Sequence, residues 1–242
     1  MENILIITGG SKGIGRGIVT AYQVNGYRIF SIARTSADFR NNNGITQLQC
    51  DLACEVAVKD VLPHIFNQID PMRTNKIVLV NNAGTLGEMG RVENLTSESI
   101  SFAVTLNTIT PLLLTSMFIR LTKNWTCERK IINISSGAAQ NPYDGWSVYC
   151  ATKAALDMMT KVVAAEQSQV ENGVTILAIY PGVVDTEMQS EIRRHQKEDF
   201  SSIERFIALK ESGSLTDPRI VGEKIYNIDQ QDLENGTILR LE

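Results

Sequence analysis

The sequence predicts an α/β fold: a single-domain, Rossmann-type, doubly wound parallel sheet of about seven strands with helices on both faces. Three observations carry that prediction. Short β-branched runs alternate with longer amphipathic stretches along the whole chain. The strand-like runs are almost continuously apolar, as parallel strands covered on both faces must be. A glycine-rich turn directly follows the first of them.

Taken in order, Ile4–Thr8 reads as the first strand, followed by a helix over Ile14–Val24. Strands are then expected at Arg28–Ala33 and Thr46–Cys50, and a helix at Glu55–Gln68. Ile77–Asn81 is the fourth strand, with a helix over Ser97–Thr122 after it. Lys130–Ser135, a long helix Ser147–Val170, and Thr175–Tyr180 complete the alternation. The Asn235-Gly236 turn introduces a last strand at Thr237–Leu241. In such folds ligands bind beyond the carboxyl ends of the strands, so functional residues are expected just after Thr8, Ala33, Cys50, Asn81, Ser135 and Tyr180.

The 242 residues suit one domain over 1–242, since α/β domains run to roughly 250 residues undivided. Against 23 Lys+Arg stand 27 Asp+Glu, a net charge of −4. That balance argues against wrapping nucleic acid or coating an anionic membrane. The apolar runs read as short strand segments, below the roughly 20 residues of a membrane span. Met1-Glu2-Asn3 has no basic export signature. Cys50, Cys54, Cys127 and Cys150 lack CxxC spacing, which suggests reduced thiols in a cytoplasmic protein and no metal site.

Gly9-Gly10-Ser11-Lys12-Gly13-Ile14-Gly15 leads from the first strand into a helix. Glycines let main-chain amides approach a pyrophosphate, and the helix N-terminus adds partial positive charge. An NAD enzyme usually ends its second strand with an acid that holds the ribose 2′-hydroxyl. Here that strand ends Ile32-Ala33-Arg34, so Lys12 and Arg34 are expected to clamp a 2′-phosphate, favouring NADP(H) over NAD.

Tyr149 and Lys153 lie four apart at a helix start and share one face. An adjacent ammonium favours phenolate and is expected to draw the phenol pKa down from about 10. Such a group can protonate a carbonyl oxygen as hydride reaches carbon. Ser136, at the mouth of the preceding strand, can hydrogen-bond the developing alkoxide, and Ser135 is the adjacent competitor. Pro111 has no N–H, so the carbonyl of Asn107 loses its usual donor four residues on and can hold a water, or the proline simply kinks the helix.

These motifs (Thr8-Gly9-x3-Gly13-Ile14-Gly15, Asn81-Asn82-Ala83-Gly84, Asn107, Ser136, Tyr149-x3-Lys153, Pro181-Gly182) occur in the order of the short-chain dehydrogenase/reductase family, which the chain resembles throughout. The stretches Asn141–Cys150, Asp185–Gln189 and Gly213–Leu215 look like its sepiapterin reductase and benzil reductase subgroup. The resemblance implies catalytic roles for Ser136, Tyr149, Lys153 and Asn107, with the main chain of Asn107 holding a relay water. It selects Ser136 over Ser135, leaving Ser135 a strand-end or substrate-side hydrogen bonder. It implies cofactor contacts at Gly9, Ser11, Lys12, Gly13, Ile14 and Gly15, at Asp51-Leu52 against the adenine, at Asn82-Ala83-Gly84 beside the adenosine ribose, at Tyr149 and Lys153, the lysine holding the nicotinamide ribose, and at Pro181, Val184, Thr186 and Met188 around the nicotinamide.

Trp146 and Gly182 are expected on the substrate side with Tyr149. The segment from 186 to about 214, carrying Arg193, Arg194, Lys197 and Glu198 beside Phe200, Ile203, Phe206 and Leu209, suits a lid. Sepiapterin reductases have an Asp in the last strand where this chain has Arg240, which disfavours a pterin and favours a neutral vicinal diketone of the benzil type. A carbonyl reductase is therefore expected. A pterin reductase and a non-catalytic NADPH sensor are the alternatives, and the sensor requires erosion at Ser136, Tyr149 or Lys153 that the sequence lacks. Leu156, Met158, Met159, Val162 and Val163 exceed what one buried helix face needs, so a homodimer or homotetramer is expected.

Overall fold

The computed structural model describes residues 1–39, 43–196 and 200–241; Lys197 and Glu198 of the expected lid lie outside the described residues. Strands Glu2–Thr8 (β1), Arg28–Ala33 (β2), Ile45–Gln49 (β3), Thr74–Asn81 (β4), Glu128–Ile134 (β5), Thr175–Tyr180 (β6) and Ile238–Arg240 (β7) form one sheet. Their order is β3-β2-β1-β4-β5-β6-β7, every neighbouring pair parallel. The winding reverses between β1 and β4, which opens a crevice at their carboxyl ends.

Alternation along each strand feeds two cores. Ile4 and Ile6 of β1 face one side with Phe30, Ile32, Ile77, Leu79 and Ile131, beneath helices Glu55–Phe66 (α2), Thr110–Leu121 (α4) and Ser147–Gln167 (α5). Leu5 and Ile7 face the other with Ile29, Val78, Val80 and Ile132, beneath Gly13–Val24 (α1) and Pro218–Asp229 (α8). Helices α1 and α8 touch backbone to backbone. A Cβ on Gly17 would lie 2.0 Å from Pro218 O, and one on Gly222 would lie 2.2 Å from Gly17 C.

Two expectations change. The helix expected over Ser97–Thr122 is α3 (Ser97–Val104), a π turn at Thr105–Ile109, then α4. Proline 111 is the physical reason: it cannot donate to Asn107 O, and the Thr110 N–H bonds Thr105 O five residues back instead. This run, Ser97–Leu121, is also long and apolar enough to span a bilayer by composition, contrary to the reading of short apolar runs only. Its apolar residues belong to the core: Ala103, Leu114 and Phe118 are fully buried.

Candidate active site

The glycine loop is shaped by what surrounds it. Gly9 (φ 68°) and Gly13 (φ 52°) adopt left-handed backbone that favours glycine. A Cβ on Gly15 would sit 2.1 Å from Gly9 O, and one on Gly9 would sit 3.0 Å from Ala83 Cα. The Asn82 side chain ties the loop to β4, donating to Thr8 O at 2.9 Å and Gly9 O at 3.1 Å. Thr8 Oγ1 accepts from the backbone N–H groups of Asn82 and Ala83, both at 3.0 Å. Lys12 stands at the N-cap of α1 without a side-chain cap bond, so the first-turn amides remain open to an anion. This close-fitting, backbone-lined cradle fits a dinucleotide pyrophosphate.

Around the cradle, Ser11 Oγ lies 3.5 Å from Thr35 Oγ1, which joins the loop to the end of β2 beside the exposed Arg34. Beyond β6, Val184 forms an isolated parallel bridge with Thr216. Val183 O and the Asp185 N–H take the bonds to Thr216, at 3.0 and 2.9 Å. Strand alternation therefore turns Val184's own N–H and C=O the other way. Thr186 N-caps α6 (Glu187–Ile192) with no cap bond from its hydroxyl, and its methyl lies 3.3 Å from where a Gly13 Cβ would be.

The candidate catalytic groups converge at the carboxyl end of β5. Ser136 follows the strand and stands beside Tyr149, where its hydroxyl acts to lower the phenol pKa. Tyr149 and Lys153 project from the first two turns of α5, with Lys153 Nζ 5.7 Å from the Tyr149 ring centroid. Lys153 Nζ donates to Ile134 O at 2.8 Å. Asn107, in the π turn, is held by its side chain: Oδ1 accepts from the Thr85 N–H at 2.9 Å, and Nδ2 donates to Thr85 O at 2.8 Å and Thr152 Oγ1 at 3.2 Å. A Cβ on Gly84 would lie 3.3 Å from Asn107 Oδ1 and 3.7 Å from Lys153 Nζ, so the loop after β4 passes close to both.

A half-buried serine beside a buried Tyr–Lys pair, opening next to a glycine cradle at the switch point, is an oxidoreductase arrangement. A family model described as short chain dehydrogenase matches residues 3–197. The chain belongs to that family. It is 39% identical over 250 residues to a benzil reductase ((S)-benzoin forming) of Bacillus cereus, covering 98% of both chains. It is 30% identical over 255 residues to a sepiapterin reductase of Bos taurus, covering 97% of this chain and 92% of that one. The solved structure of ElxO with NADP bound shares the fold at a TM-score of 0.78 and 24% identity, covering 99% of this chain and 97% of that one.

In this short-chain dehydrogenase, several expected site residues behave differently from the sequence reading. Burial pushes the Tyr149 phenol up to about 12, and the Ser136 hydroxyl only partly opposes it. Lys153 is not among the groups that shift the phenol, and burial lowers Lys153 itself to about 8. Tyr149 is thus a firmly protonated acid at neutral pH, and Lys153 is the group that titrates near it. Ser135 is not on the substrate side. It is 2% exposed and donates to Asp157 Oδ1 at 2.6 Å, beneath α5. Lys12 does not face β2; it pairs with Glu187 across the cleft, both side chains exposed. Leu52 is in the core and its carbonyl accepts from Thr110, so its side chain cannot line an adenine pocket. Asp51 is exposed and accepts from the Ala53 N–H at 3.0 Å.

Trp146 is not an open wall. It is 6% exposed and stacks on Phe200 at 4.8 Å and 12°, with Phe206 at 5.5 Å and the Tyr149 ring edge-on at 5.7 Å. The covering segment is α6 and α7 (Ile203–Glu211), whose Ile192, Ile203 and Phe206 pack against Leu86, Met89 and Trp146. Met188 packs against the same cluster, while Gly182 (φ 78°) and Pro181 remain accessible beside the end of β7.

Four residues escaped the sequence reading. Thr35 reaches the glycine loop, and Thr85 and Thr152 hold Asn107. Asp144 anchors the cover, its carboxylate accepting from Ser201 N at 3.0 Å and Ser201 Oγ at 2.8 Å, bonds that hold its pKa below the usual range. Only Thr35 carried a signal, as a hydroxyl next to the arginine that ends β2.

Proposed function

We propose that this short-chain dehydrogenase is an NADPH-dependent carbonyl reductase acting on a ketone or vicinal diketone of the benzil type, with Tyr149 as general acid. The observation that carries the reading is the convergence of Ser136 with the buried Tyr149 and Lys153 at the mouth of a glycine cradle. When bound, the dihydronicotinamide would supply the hydride. Gly9 to Gly15 would hold the pyrophosphate, with Lys153 against the nicotinamide ribose and Val184 and Thr186 near the carboxamide. Arg34 with Ser11 and Thr35 would take the 2′-phosphate, Lys12 joining by leaving Glu187.

The chain's own residues do the remainder. Ser136 donates to the carbonyl oxygen and stabilises charge as it develops there. Tyr149, kept protonated by burial, gives its proton to that oxygen. Lys153, while charged, offsets the phenolate left on Tyr149. The aromatic cover over Trp146 excludes water from this transfer and suits an aryl substrate. The benzil reductase relative at 39% identity and the ElxO structure with NADP support the substrate class and the cofactor. Arg240 pairs with Tyr180 at the end of β7, its Nη2 3.6 Å from where a Gly137 Cβ would be. A cation next to Ser136 opposes the donor-rich edge of a pterin.

Met158 and Val162 on α5 and Leu112 on α4 are about half exposed, and a homodimer or homotetramer through these helices is part of the proposal. The four cysteines are free, which suits the cytoplasm. The test is NADPH oxidation against benzil, sepiapterin and simple aldehydes. Turnover of benzil above the others upholds the reading. Folded, NADPH-saturated protein that reduces no carbonyl overturns it in favour of a sensor.

A further inference from the structure

A buried carboxylate stands one helical turn behind Lys153. Asp157 is 7% exposed, and hydroxyls from two other elements donate to it: Ser135 to Oδ1 at 2.6 Å, and Tyr180 of β6 to Oδ2. Each oxygen of the carboxylate thus has its own hydroxyl partner, which suits an acceptor that carries charge. Burial and Asp157 together push the Tyr180 phenol well up, so its proton stays on and the hydroxyl remains a donor. None of these three residues touches the reacting atoms in the mechanism above.

Lys153 has need of such a charge. Its side chain is 5% exposed, its ammonium donates to a neutral carbonyl, and among the described residues it has no ion pair. Burial drives it toward neutrality, and Asp157 is the one charge among the described residues that acts against this. Positions i and i+4 share a helix face, so the two act on each other across low-dielectric interior. The other titratable groups nearby are Tyr149 and Cys150 on α5, Tyr180 from β6, and Arg240 from β7, whose guanidinium acts on Tyr180. From β5, the π turn and the loop after β4, only neutral groups face the lysine: Ile134, Ser135, Asn107 and Gly84.

We propose that Asp157, clamped by Ser135 and Tyr180, is a positioning residue whose fixed negative charge holds the Lys153 ammonium in its charged state and so sets the alkaline limit of carbonyl reduction. The inference rests on the reading of Lys153 as the lysine that supports Tyr149. It makes Ser135 and Tyr180 parts of the same device, since their two hydrogen bonds fix where the carboxylate stands.

The experiment is the pH profile of kcat/KM for benzil reduction by NADPH. Asp157→Asn keeps the shape and removes the charge; Asp157→Ser is a second neutral variant. Loss of a negative neighbour makes an ammonium easier to deprotonate, so the alkaline limb should move down by about one pH unit, with about tenfold less turnover on that limb and less than about twofold change near pH 6.5. Tyr180→Phe keeps the charge and removes one donor, and its alkaline limb should not move down. A folded neutral variant with the wild-type limb overturns the proposal, as does a downward move in Tyr180→Phe equal to that of the neutral variants. Should neither neutral variant fold, the Tyr180→Phe limb decides alone: one that stays in place or rises upholds the proposal, and one that falls overturns it. Tyr149→Phe run in parallel separates the two readings, because undiminished turnover there removes the tyrosine mechanism whatever the Asp157 variants do.

Discussion

Replacing Asn107 with alanine deletes three side-chain hydrogen bonds at a residue that is 1% exposed. Each bond contributes about 1 kcal/mol net, and the Thr85 N–H left without an acceptor adds about 1 kcal/mol more, so a destabilisation of about 3–4 kcal/mol is expected. For a chain of this size that lowers Tm by about 6–16 °C. The loop at Gly84 and Thr85 loses its anchor to α5, and Gly84 is the segment that passes Lys153. Turnover should therefore fall together with stability. Thermal unfolding and steady-state kinetics on the same preparation decide the matter. An Asn107→Ala protein that melts like the parent yet loses kcat would refute the reasoning, because the side chain would then belong to the proton path and not to the scaffold.

Three further outcomes are expected. Lys12→Ala combined with Arg34→Ala should raise Kd for NADPH at least about tenfold more than for NADH, measured by fluorescence titration; equal losses would mean the phosphate clamp is misassigned. Gly15→Ala places a Cβ 2.1 Å from Gly9 O and should abolish nucleotide binding while far-UV dichroism persists; a variant that still binds NADPH would show that the loop is not the cradle. Trp146→Ala removes the ring that stacks on Phe200 and abuts Tyr149, and should lower stability by about 3–5 kcal/mol in denaturant titration. A loss below about 1 kcal/mol would mean that the cover is not held through this ring.

The strands were legible because sheets covered on both faces require continuous apolar runs, and β2 and β6 end where the sequence reading ends them. Helix limits were less so: the expected α2 over Glu55–Gln68 stops at Phe66, since fraying and caps depend on neighbours. Pro111 was visible as a missing donor, but not the π turn that answers it, because that requires knowing that Thr105 O takes the Thr110 N–H. The site motifs sat where strand ends predict, being local. What spacing could not carry was burial: the phenol rises rather than falls because the cover packs over Tyr149. Ser135 and Ser136 are adjacent, yet only the fold shows that Ser135 turns under α5 toward a carboxylate 22 residues later. Lys12 and Glu187 lie 175 residues apart and meet only once β6 is laid beside β5.

The most direct measurement of the central claim is single-turnover reduction of benzil by Tyr149→Phe saturated with NADPH. Loss of the group that gives its proton to the carbonyl oxygen should slow hydride transfer by about 10²–10⁴-fold while NADPH still binds with its parental Kd. Transfer at the parental rate in that variant would contradict the account, because the proton would then be arriving by another route.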